Sequence, residues 1–251
     1  MIIKLTGNDL KARYSGSALG LFWAYVQPLV TMLVFWFVFQ VGFRNPPVSN
    51  VEYILWFAAG FVPWTFFSDG IMSSSFVFYE YSYLVKKMKF NVWLLPMIKV
   101  TSSFCIHFFL LLFLIGLYLF YGHKPSFTWF GVLYYSFCVF ALLIGNAYLV
   151  GALSVFFKDA TQMVNVIMQI GFWVTPVFWS DEAIGEGVLN ILKLNPMHYV
   201  LTGYRNTLIY SDPFKAGTLG ETIYFWCFVL VMTFVGTFVY RKLRKHFSDL
   251  L

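Results

Sequence analysis

Long apolar stretches alternate with short polar ones along this chain, and six of the apolar stretches are long enough to cross a membrane. They run over residues 22–42, 53–78, 94–121, 129–157, 161–179 and 223–240. Each supplies the ~20 mostly uncharged residues that a ~30 Å hydrocarbon core requires of a helix. The pattern predicts an all-α integral membrane protein with six transmembrane helices. Between 180 and 221 the chain is too polar to span, yet it carries two apolar-periodic pieces at 188–194 and 196–210. Asn195-Pro196 joins them, as an N-cap followed by proline at the first helical position. The second piece reaches only ~22 Å, short of a full crossing. A pair of re-entrant half-helices at 188–210, before the last span, satisfies these lengths. Such backbone survives at membrane depth only when covered by protein or lining a wet cavity.

The polar segments add two shorter helices. In residues 1–20, Ile2, Ile3, Leu10 and Tyr14 share one helix face, with Lys4, Lys11 and Arg13 beside it. This reads either as an amphipathic helix lying in the membrane interface or as a basic flank that only sets topology. In residues 80–93, Leu84, Val85, Met88 and Trp93 alternate with lysines at near-helical spacing, which predicts a short surface helix. Pro63 lies well inside the second span and predicts a kink there.

Charge fixes the orientation. With loops numbered alternately from the inside, the inner set holds Lys4, Lys11, Arg13, Lys86, Lys87, Lys89, Lys99, Lys158, Arg241, Lys242, Arg244 and Lys245. The outer set holds Arg44, Lys124, Lys193, Arg205 and Lys215, so the division is twelve against five. Both termini are therefore expected in the cytoplasm, with the chain in the inner (cytoplasmic) membrane. If either half-helix crossed alone, the Arg241–Lys245 cluster would fall outside, against the rule. Charged residues make up 11% of the chain, against ~25% in soluble domains. The net charge of +6 sits on loop ends facing anionic headgroups, so no nucleic-acid partner is expected. Cys105, Cys138 and Cys227 all fall inside apolar runs and read as buried hydrophobes. Lys4, Asp9, Lys11 and Arg13 interrupt any signal-like apolar core, so no cleaved leader is expected. At 251 residues the chain suits a single membrane domain, 1–251.

Catalytic chemistry is absent from the pattern. There is no phosphate-cradling Gly-x-x-x-x-Gly-Lys-Ser/Thr loop, no His-Glu-x-x-His and no Cys-x-x-Cys, so neither a nucleotide nor a metal is expected on this chain. His107 stands alone on the third span and reads as a helix-packing residue. Asp69 is the one acid inside a span, about 24 Å in from Tyr53 and past the midplane. It either faces a substrate path or bonds a neighbouring helix; an intramembrane charge needs one of the two. Aromatics reach 22% of the chain and crowd the first span, with Trp23, Tyr25, Phe35 and Phe39 among them. Their flat faces suit sugar rings or a polyprenyl tail, so spans one and five are expected to line a conduit. Asn195 and Pro196 are expected near its outer mouth and Asp69 nearer the inner one. A plain-lipid or drug permease, a membrane-embedded transferase and an ion-coupled carrier are the competing readings. The transferase lacks convergent acid and base groups, and the carrier lacks internal repeats.

Four stretches together resemble the permease subunit of ABC-2 type polysaccharide exporters, the Wzm-type O-antigen and teichoic-acid group. They are Asp9 through Leu29, with its Arg-Tyr-Ser-Gly-Ser-Ala-Leu-Gly-Leu-Phe-Trp core; Gly60-Phe-Val-Pro-Trp-Thr-Phe-Phe-Ser68; Leu84 through Pro96; and Phe157 through Phe178 followed by Asn195-Pro-Met197 and Tyr204-Arg205. The resemblance covers nearly the whole chain. Asp69 stands where the family favours a neutral polar residue, and Phe90-Asn-Val-Trp replaces the usual Phe-Pro-Arg-Glu. The resemblance implies a second copy of this chain, two ATP-binding cassette subunits that carry the MgATP, and an undecaprenyl-linked glycan moved from cytoplasm to periplasm. It implies that Tyr83, Leu84, Val85, Lys86, Lys87, Met88, Lys89 and Phe90 form a coupling helix on the ATPase. It further implies that Arg13 and Tyr14 belong to an interfacial gate, and that Tyr204 and Arg205 join Asn195 and Pro196 beside the channel's outer end.

The charge asymmetry predicts the labelling pattern of single cysteines in a Cys-free background. Cysteines at Asn45 and Lys215 are expected to react from the outside, and those at Lys87 and Lys245 are not. External reaction at 245 would reverse the topology.

Overall fold

A computed structural model of the chain describes residues 2–13, 15–44, 46–48, 51–85, 91–157, 159–210 and 219–250, with backbone alone at 183, 248 and 249. Helix α1 covers Ile2–Arg13 and is followed by α2, Phe22–Gly42, whose last turns are π-helical over Phe37–Gly42. Helix α3 runs Tyr53–Ser75 without interruption at Pro63. Two short turns, α4 (Val77–Glu80) and α5 (Ser82–Val85), lead out of it. Helix α6 is Leu94–Phe120, α7 is Gly131–Phe156 after a 3-10 turn at Phe127–Phe130, and α8 is Ala160–Val174. The short pair α9 (Glu186–Leu192) and α10 (Pro196–Leu208) precedes α11, Leu219–Leu243, and the terminal turn α12, Phe247–Leu250. No strand occurs among the described residues, and five of the helices are long and apolar enough to cross a membrane.

The fifth expected span, 161–179, is shorter than the apolar run suggests. Helix α8 ends at Val174 because Thr175 adopts an extended backbone (ψ 140°) ahead of Pro176, as residues before proline do. Its 15 residues rise only about 22 Å. The second expected span is likewise cut at Ser75, where Phe76 breaks the helix before α4. The half-helix pair appears where the pattern placed it. Asn195 caps α10 by accepting from the Met197 amide at 3.0 Å, and it donates to Thr175 Oγ1 at 2.8 Å. One side chain thus joins the start of α10 to the end of α8.

Helix α3 is the axis of the bundle. Its first half, Tyr53 through Trp64, is buried on every side, and the helix is packed by α6, α7, α10, α8 and α2. A second, smaller core lies at the opposite end of the bundle, where Val77, Phe78, Leu95, Tyr148, Val155, Tyr240 and Phe247 meet. Helix α1 departs from the expected amphipathic pattern. Ile3 is 87% exposed, and the buried positions are Thr6 and Asp9. The face that docks α1 on α6 centres on these two polar residues, with Leu5 and Leu10 half-buried beside them, and the cause is a buried lysine on α6 described below.

Helices α7 and α11 approach backbone to backbone. A Cβ at Gly236 would sit 2.0 Å from the Gly145 carbonyl oxygen, and one at Gly145 would sit 2.5 Å from the Thr233 amide nitrogen. Small residues permit such approach where lipid offers no hydrophobic drive between helices. Gly116, on α6, has open space around it. Gly236→Ala is therefore expected to cost about 1–3 kcal/mol by overpacking. Gly116→Ala is expected to be neutral or slightly stabilising through helix propensity. Detergent thermostability by size-exclusion fluorescence separates the two; equal behaviour would contradict the tight crossing.

Candidate functional site

A cavity of about 640 Å³ opens between α2, α3 and α8. Helix α2 contributes Gln27, Thr31 and Phe35; α3 contributes Phe61, Trp64, Ser68 and Asp69; α8 contributes Asn165, Gln169 and Phe172. Its walls therefore combine aromatic faces with uncharged amides and hydroxyls. Helices at these positions arise from apolar runs interrupted every turn or so by a small polar residue, and those interruptions are what face the space. The first and fifth runs do line it, joined by the second.

Asp69 sits at one end of this cavity, 38% exposed. Arg13 reaches it from α1, with Nη1 at 3.1 Å from Oδ2, and the Ser103 hydroxyl on α6 donates to the same oxygen. Asp69 thus bonds neighbouring helices, as one of its two readings had it, and it also borders the cavity. Arg13 also contacts Asp9, one helical turn away, at 3.3 Å. Asp9 is fully buried and receives Lys99 Nζ at 2.6 Å, and Lys99 in turn lies 2.6 Å from Glu80 of α4. The Tyr81 hydroxyl donates to Asp9 at 2.7 Å, and its ring lies 5.3 Å from the lysine nitrogen. Burial alone would raise the Asp9 pKa, but the charges of Lys99 and Arg13 and the donors around it outweigh that and hold it below the ordinary value of 3.8. Tyr81 is pushed upward by burial and by its bond to Asp9.

The other expected site residues disperse. Phe35 lines the cavity, whereas the Tyr25 ring packs on Phe109 at 4.4 Å and Trp23 faces outward at 43% exposure. Phe39 stacks on Phe178 at 5.6 Å, beyond the cavity. Asn195 and Pro196 serve the α10 cap. Tyr204 and Arg205, expected beside the channel's outer end, are buried within this chain and do not line the cavity. The Tyr204 hydroxyl lies 2.6 Å from Ser136 and 3.1 Å from His107, tying α10 to α7 and α6. The Arg205 guanidinium lies 3.5 Å over the Trp56 ring and donates to the Val177 carbonyl at 2.9 Å. That carbonyl lies just past the end of α8, where no helical amide reaches it, and a buried guanidinium needs such acceptors. Tyr83 is 57% exposed, and Leu84 and Val85 pack beside the inner core. Tyr14 and Lys86, Lys87, Met88, Lys89 and Phe90 lie outside the described residues.

Sequence reasoning missed Asp9, Glu80, Tyr81 and Lys99. Lys99 carried the signal. It stands six residues into an apolar helix, and a lysine there demands a partner acid. Counting it with the loop cations hid that demand. Among the described residues no cluster of three metal-ligating side chains occurs.

A family model described as ABC-2 type transporter matches residues 2–209. The chain is similar to two proteins from Klebsiella pneumoniae named O-antigen export system permease protein RfbA. They are 28% identical over 255 aligned positions and 26% identical over 257, each match covering 100% of this chain and 95% of the relative. A protein of the same name from Myxococcus xanthus is 29% identical over 258 positions, with 99% and 94% covered.

Because the folded Asp9 pKa lies below its unfolded value, its stabilising contribution is present above about pH 4 and is lost as pH falls further. Thermostability is expected to drop between about pH 6 and about pH 3, and Asp9→Asn is expected to be less stable at pH 6 but to show a shallower drop. An identical pH profile in the two proteins would remove Asp9 from the account.

Proposed function

The chain belongs to the ABC-2 type transporter family, and on that premise we propose that it is the permease of a polysaccharide exporter. It pairs with a second copy of itself in the inner membrane, both termini cytoplasmic. Two separate ATP-binding cassette subunits hold MgATP and supply the energy, and this chain binds no cofactor of its own. The cargo is an O-antigen-like glycan on an undecaprenyl carrier, moved from cytoplasm to periplasm. This chain contributes a path and no bond-making chemistry.

The cavity lining carries the reading. Sugar rings present apolar C–H faces and a rim of hydroxyls. Phe35, Trp64 and Phe172 offer flat faces to the first, and Gln27, Thr31, Asn165 and Gln169 offer donors and acceptors to the second. None of these side chains is charged, and the one carboxylate of the lining, Asp69, lies at the cavity's end and is paired with Arg13. The names of the relatives support the same cargo class. The outward faces of α2 and α8 bear exposed apolar residues such as Leu33, Val34, Ile167 and Ile170, in keeping with a wall completed by a second copy. Tyr83, Leu84 and Val85 begin the segment proposed to seat on the ATPase.

In the reconstituted exporter, Phe35→Ala and Phe172→Ala are expected to slow export of long glycans by about 2- to 10-fold, the range of one aromatic contact, and short ones less. The defect accumulates with each repeat moved. Tyr25→Ala, whose ring packs on Phe109, is expected to lack this length dependence. Equal loss for short and long chains would assign Phe35 and Phe172 to packing and not to the sugar path.

A further inference from the structure

Five charged side chains from four helices form one continuous run of contacts: Glu80, Lys99, Asp9, Arg13 and Asp69. We propose that Lys99 is a positioning residue that carries movement of the segment containing Glu80 to the mouth of the cavity, through Asp9 and Arg13. The proposal rests on the permease reading above for its purpose, though not for its geometry.

Burial divides the run into a fixed centre and two releasable ends. Lys99 and Asp9 are 1% and 0% exposed, so separating them would leave an uncompensated buried charge. Glu80 and Asp69 are each 38% exposed and can exchange their partners for water. The run holds three acids and two bases, so the bases are shared. Lys99 serves Asp9 and Glu80; Arg13 serves Asp9 and Asp69. When Glu80 withdraws, Lys99 is left to Asp9 alone, Asp9 holds Arg13 less, and Arg13 turns toward Asp69. The same linkage runs in reverse, because coupling between two sites is reciprocal.

Glu80 is placed to move. It is the last residue of α4, whose Val77 and Phe78 are locked in the inner core, and α5 follows it directly. Its neighbour Tyr81 grips the other member of the central pair, donating to Asp9 at 2.7 Å. Two consecutive residues thus hold the lysine and the aspartate together, and a displacement of α5 acts on both. Asp69, eleven residues before Glu80, meets it through this run among the described residues.

The position of α1 provides a readout on the full-length permease in nanodiscs. In a Cys-free background, Lys11→Cys stands on the exposed side of α1, and its maleimide labelling rate reports how α1 is seated. Glu80→Gln is expected to change that rate about threefold or more, the lower end for members of one network, and to have no effect once Lys99→Met is present. An equal effect of Glu80→Gln with and without Lys99 would overturn the relay. If Lys99→Met fails to insert, a cycle of Glu80→Gln and Asp69→Asn on the same rate decides the matter with Lys99 intact. Effects that multiply independently overturn the proposal, and a departure of about threefold or more supports it. These readouts involve no cargo. Absence of glycan export by the unsubstituted, ATP-hydrolysing complex would overturn the cargo reading and leave the relay standing, whereas an unresponsive α1 removes the relay whatever is exported.

Discussion

Water is absent from the middle of a bilayer, so every polar group carried to that depth has to find its partner within the protein. That constraint organises this bundle more than apolar attraction does, because lipid tails are as apolar as the leucines they meet. Several places where remote segments are locked together are polar ones. Asn195 ties α10 to the end of α8. Arg205 covers the carbonyl left bare past that end. Ser136, His107 and Tyr204 join three helices around a buried hydrogen-bonded knot. Lys99, buried on α6, draws the polar face of α1 onto the bundle and leaves Ile3 outside.

The two ends of the bundle meet this constraint differently. At the end that holds α9 and α10, Arg205 is satisfied by carbonyls and an aromatic face, and His198 meets Asp181 at 3.0 Å while Lys193 lies 3.8 Å from Glu221, each a separate pair. These pairs share no member, so neither passes a change on to the other. At the opposite end the charges form one run in which three acids share two bases. A run with unequal numbers of acids and bases has more than one way to pair. It lies at the end of the bundle that carries α4 and α5.

The cavity and the core divide the aromatic residues between them. Phe35, Phe57, Phe61 and Phe172 form a connected cluster that runs from buried α3 to the cavity wall, so the wall is backed by close packing. Phe35, Phe61 and Phe172 thus serve both the packing of α3 and the lining of the cavity.

The sequence by itself determined the helical class, the positions of the long helices, the half-helix pair at 188–210 and the Asn195 cap. These follow from local quantities: the length of an apolar run, the period of its polar interruptions and the chemistry of an Asn-Pro step. It also indicated the first and fifth apolar runs, whose residues line the cavity together with α3. Only the tertiary structure decided which polar residues meet. Tyr204 and Arg205 look like channel residues as a motif, yet the guanidinium turns to Trp56 and Val177, which are 149 and 28 positions away. Asp9 and Lys99, ninety residues apart, form the buried pair that seats α1. A partner at such separation leaves no trace in local periodicity. The burial that makes a pairing compulsory is a property of the packed bundle, and no stretch of chain carries it alone.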